Sequence, residues 1–133
     1  VWVSLVFISY FIILNFTVLH NNIDFRIGFN ELLNTVLLVG ITEEIVFRGF
    51  ILKKLMNSFK FWIANTITSL LFVTIHFPIW FYKGLFEFPY ILTVSLSAFI
   101  LSVIFGYVYK KSGSLWSVIV IHSLYNLLVS LFY

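Results

Sequence analysis

The stretch "ELLNTVLLVGITEEIVFRGFILKKL", residues 31–55, decides how this chain is read. Its apolar content and length suit a helix that spans a membrane, which takes about 20 residues. Its middle is interrupted by Glu43, Glu44 and Arg48. The two acids lie about a dozen residues from either end, which at about 1.5 Å per residue is close to mid-depth. An ionised carboxylate at that depth costs at least about 2.5–3.5 kcal/mol. A helix end or a surface turn would remove that cost, and neither fits the position. Arg48 follows Glu44 by four residues, so both share one helix face and can pair. Glu43 is turned about 100° from Glu44 and has no such local partner. It must face the interior of a bundle, or water.

The rest of the chain supports a bilayer as its solvent. Of 133 residues, 62% are hydrophobic and 10% charged, where soluble domains carry about 25% charged residues. A soluble domain of this size keeps too large a surface to hide that much apolar area. With no cysteine, disulfides, thiol nucleophiles and thiolate metal sites are excluded. The net charge of +3 comes from short basic clusters that set topology, so no nucleic-acid partner is expected. Runs 1–23, 61–82, 88–109 and 112–133 lack Asp, Glu, Lys and Arg, and each is long enough to span. With 31–55 they predict an all-α, polytopic membrane bundle of about five helices: 1–19, 31–55, 60–80, 89–109 and 114–133. The short connections favour antiparallel neighbours in a single domain over 1–133.

Lys53, Lys54 and Lys60 flank one loop, and Lys110 and Lys111 lie in another on the same side. Arg26 and Lys83, on the opposite side, are offset by Asp24, Glu31 and Glu87. The positive-inside rule then places Val1 in the cytoplasm and Tyr133 outside, in a multi-pass protein of the cell membrane. In the fourth helix Ser95, Ala98, Ser102 and Gly106 recur at three and four residues, the spacing of close helix packing.

Two further helices carry polar groups at depth. His76 shares a face with Asn65, Ser69 and Phe72, and His122 lies one turn before Asn126. Each feature has a structural reading. The acids and arginine form a buried ion pair, His76 sits in an aromatic belt stopped by Pro78, and His122 with Asn126 bonds a neighbouring helix. Together, three helices present titratable groups in a chain with few others, and intramembrane ionisable residues default to function.

The motifs "EEIVFR" (43–48), "FVTIH" (72–76) and "HSLYN" (122–126) resemble, in order and spacing, those of the CAAX-protease and bacteriocin-processing family of intramembrane proteases. The resemblance covers about 31–133, and full-length relatives have a larger bundle, so N-terminal spans are expected to be missing here. It implies an endopeptidase of a bacterial membrane. The implied substrates are a membrane-borne peptide or a prenylated protein, with CAAX-type processing, bacteriocin processing or bacteriocin self-immunity as the biological setting. Glu43 is the implied general base for water. Glu44 with Arg48 orients it, and Asn126 donates to an oxyanion. His76 and His122 hold a divalent metal such as Zn²⁺, or polarise water and carbonyl without one. The H-E-x-x-H helix of zincins is absent. The alternative is a non-enzymatic immunity or scaffold protein of the membrane.

Overall fold

The computed structural model describes residues 27–132, all of whose regular elements are helices. The expected first helix, 1–19, lies outside the described residues. Helix α1 covers residues 29–55 and changes pitch along its length. Phe29–Glu31, Val39–Glu44 and Lys53–Leu55 are α-helical, and Leu32–Leu38 and Ile45–Leu52 are π-helical. The remaining helices are α2, Phe61–Tyr82; α3, Tyr90–Ser112; and α4, Leu115–Phe132. All four start within two residues of the starts expected from the apolar runs. Among the described residues, α2 and α3 are long and apolar enough to cross a membrane, and the apolar part of α4, Leu115–Leu131, is shorter.

Pro78 does not stop α2. The helix runs to Tyr82, because a proline removes one hydrogen bond without ending a helix whose other turns stay bonded. The stop comes from Gly84, at φ 70°. Its N–H donates to Phe81 C=O (3.1 Å) and the Leu85 N–H to Trp80 C=O (2.9 Å), closing the last turn.

The chain divides into two compact units, one up to Val46 and from Val108 onward, the other Phe47–Tyr107. In the first, Val36, Val118 and Ile119 are buried beside Glu44, His122 and Ser123. A Cβ at Gly40 would stand 2.6 Å from Ser123 Oγ, so the bare glycine leaves room for that hydroxyl where α1 and α4 meet.

In the second unit α2 is inverted relative to a soluble helix. Polar Asn65, Thr68 and Ser69 are buried together with Ala64, Phe72 and Val73, while Trp62, Ile63, Leu70, Leu71, Ile75 and Ile79 are exposed. Apolar surface on that scale suits contact with lipid rather than water. Inside, Asn65 donates to Val103 C=O at 3.0 Å. Gly106 makes room for the Asn65 amide, since a Cβ there would overlap it.

Candidate active site

In the first unit two acids of α1 meet one histidine of α4. Glu44 is fully buried, with Oε1 2.8 Å from His122 Nδ1. Glu43, its side chain 19% exposed, has Oε2 3.8 Å from His122 Nε2. The imidazole thus lies between the carboxylates and turns a different nitrogen to each. The structure gives Glu44 a partner on α4 and brings Glu43 to the opposite edge of the same ring. A π-helical segment begins at Ile45, and its wider turns change the angles that a uniform α-helix would set beyond Glu44.

The register of α4 against α1 is fixed on either side of this cluster. Gly40, one turn before Glu44, allows the close approach at Ser123. Asn126, one turn after His122, donates its amide N–H to Thr35 C=O at 3.1 Å. The last π-type bond of Leu32–Leu38 runs from Val39 N–H to Asn34 C=O. Thr35 is the next carbonyl, at the step where the ladder shortens by one residue. Such a step leaves one carbonyl out of register, and Asn126 supplies a donor there. An apolar groove of about 370 Å³ lies along the same helix pair, with Val36, Leu37 and Ile41 on one wall and Val120, Ser123 and Leu124 on the other.

In the second unit Arg48 is fully buried. Its Nη2 donates to Ser102 C=O and to Ser102 Oγ, each at 2.8 Å. The guanidinium carbon lies 5.2 Å from the Phe72 ring centre and 5.4 Å from that of Phe105, both cation–π distances. Phe72 also meets Phe47 edge-on at 5.0 Å and His76 at 4.7 Å. His76 Nδ1 is 2.7 Å from Phe72 C=O. A carbonyl only accepts, so Nδ1 carries the proton there and Nε2 is the other face of the ring. Phe72, the first residue of "FVTIH", therefore braces both Arg48 and His76.

Each motif residue is thus placed: Glu43, Glu44, His122 and Asn126 in the first unit, Arg48 and His76 in the second. Ser102, Thr35, Gly40 and Ser123 were not singled out as site residues. Ser102 was visible only as one member of the small-residue stripe, whose packing role the structure extends to a hydrogen bond. Gly40 carries its own signal, a glycine one turn before a buried acid.

Two polar atoms 3.8 Å apart can share one water molecule at about 2.8 Å from each. As a metal site the first unit offers fewer groups. His122 Nδ1 is bonded to Glu44 Oε1, and His122 Nε2 faces the Glu43 carboxylate. Catalytic zinc takes three protein ligands. Among the described residues no three His, Cys, Asp or Glu side chains are grouped to hold a metal ion.

The sequence profile of the Rce1-like family, described as type II CAAX prenyl endopeptidase Rce1-like, matches residues 26–128. No curated protein and no solved structure matches the chain.

Proposed function

The chain belongs to the Rce1-like family of type II CAAX prenyl endopeptidases, and on that footing we propose that it cleaves a membrane-borne peptide with Glu43 as the base that activates water. The carrying observation is the 3.8 Å separation of Glu43 Oε2 and His122 Nε2. A water held between them has its oxygen fixed and one proton directed at a carboxylate. On attack the water oxygen bonds to the scissile carbon, its proton passes to Glu43, and the carbonyl electron pair moves onto oxygen. When the C–N bond breaks, Glu43 returns that proton to the leaving nitrogen. A prenylated C-terminal peptide is the substrate class named by the family, and the groove between α1 and α4 suits its apolar chain. A bacteriocin precursor is the second substrate to assay.

The test is Glu43→Gln in the purified, membrane-reconstituted protein. Turnover of a prenylated CAAX peptide is expected to fall by about 10²–10⁴, the usual contribution of a general base. Helix content and melting should match the wild type, and chelators should leave the wild-type rate unchanged. Full activity in Glu43→Gln would remove the enzymatic reading and return the non-enzymatic immunity or scaffold role. Loss of wild-type activity on chelation, restored by added Zn²⁺, would replace the metal-free mechanism.

A further inference from the structure

We propose that Glu44 is a positioning residue: it sets which nitrogen of His122 bears the proton, and so makes His122 Nε2 an acceptor for the attacking water. This rests on the role given to Glu43 above and adds a distinct requirement to it. Glu44 Oε1 lies 2.8 Å from His122 Nδ1, and the carboxylate has no exposed surface. An ionised carboxylate only accepts hydrogen bonds, so the bond runs from Nδ1–H to Oε1. In a neutral ring the lone pair is then on Nε2, the nitrogen that faces Glu43.

The consequence concerns the water. With Glu43 Oε2 and His122 Nε2 both accepting, a shared water donates both of its protons. Both of its oxygen lone pairs then point away from the protein groups, toward a carbonyl carbon. The opposite tautomer would reverse this. An Nε2–H would donate to the water oxygen and occupy a nucleophilic lone pair, or would donate to Glu43 and occupy the base. The carboxylate of Glu43 itself favours that opposite tautomer, because it attracts a proton to Nε2. Glu44 is the group that outweighs it, being 1.0 Å closer to its nitrogen by the difference of 3.8 and 2.8 Å. The close approach at Gly40 and the Asn126 bond to Thr35 hold the ring in register while it does so.

Glu44→Gln tests this. A neutral amide accepts or donates with equal ease, so Glu43 decides the tautomer and the proton moves to Nε2. The expected result is a fall in kcat approaching about 10⁴, the size seen when a histidine-orienting acid of a serine protease is made neutral. KM should stay within about twofold if substrate binding is untouched. ¹⁵N-histidine NMR should report Nδ1–H at His122 in the wild type and Nε2–H in the variant. A retained kcat overturns the proposal, as does a lost kcat with Nδ1–H still in place. If the variant does not fold, the wild-type spectrum decides: a proton on His122 Nε2, as the other tautomer or as imidazolium, overturns the proposal. Glu43→Gln measured alongside separates the two readings. An inactive Glu43→Gln with an active Glu44→Gln removes only the role of Glu44.

Discussion

Glu44 and Arg48 stand four residues apart in one motif, and both are fully buried, yet the groups bonded to them differ in kind. Glu44 is met by the ring of His122, a group that can itself exchange a proton. The contacts of Arg48 include a backbone carbonyl, a hydroxyl and two aromatic faces. Burying a charge demands a partner in either case. The choice of partner separates a place where protons can move from a place where charge is held still. On the reading proposed above, the Glu44–His122 bond serves chemistry, and the bonds of Arg48 to Ser102 serve packing within the second unit.

The largest effect that would break this comparison is at Arg48. Arg48→Met keeps much of the side-chain volume but removes the hydrogen bonds to Ser102 and both ring contacts. It should lower unfolding stability by about 3 kcal/mol, since a hydrogen bond to a charged group contributes about 1.5–3 kcal/mol and a cation–π contact adds to it. Glu43→Gln, by contrast, should leave the melting curve in place and remove turnover. Denaturant titration of both proteins in mild detergent checks the pair. An Arg48→Met protein as stable as wild type but inactive would move Arg48 from architecture to chemistry.

Much of this contrast was legible in the sequence, and the unread part has physical causes. Mid-helix position identified Glu43, Glu44 and Arg48 as residues that need partners, because depth alone sets their cost. The buried face of α2 followed from the spacing of Asn65, Ser69, Phe72 and His76, of which the first three are almost inaccessible and His76 half-buried. The partner of Glu44 was not legible. The bond from His122 joins residues 78 apart in the chain, and such a pairing has no local signature. The π-helical segments were equally hidden, since they arise where the backbone adjusts to tertiary contacts rather than from residue preference. Ser102 and Gly106 shared one packing pattern, yet Ser102 bonds an arginine and Gly106 admits an asparagine.

A smaller effect sharpens the picture of the first unit. Gly40→Ala would place a methyl 2.6 Å from Ser123 Oγ and force α1 and α4 apart. Overpacking of this kind costs about 1–3 kcal/mol. Turnover should fall as well, because Glu43 and Glu44 reach His122 across the same helix contact. The nearest other atoms of Ser123 are its N at 3.4 Å and its Cα at 3.6 Å, ordinary contacts for a methyl. The double variant Gly40→Ala with Ser123→Ala should therefore recover both stability and rate. A double variant no better than the single one would show that the approach of the helices is set elsewhere.

The smallest effect is expected at Asn126, and it distinguishes two uses of one amide. Its Nδ2 has two protons, and one goes to Thr35 C=O. If that bond is its whole contribution, Asn126→Ala should cost about 1 kcal/mol or less, the range of one interhelical hydrogen bond in a membrane protein. Turnover should then fall only in proportion to the loosened register, and Asn126→Asp, which cannot donate when ionised, should behave like the alanine variant. If the second proton also reaches the oxyanion expected from the motif, both variants should lose about 10²–10³ in kcat with little change in melting. Measuring kcat and melting temperature for the two variants together decides it. A small paired loss leaves Asn126 with the fixed framework that Arg48 represents, and a large loss of rate alone places it with Glu43 and His122.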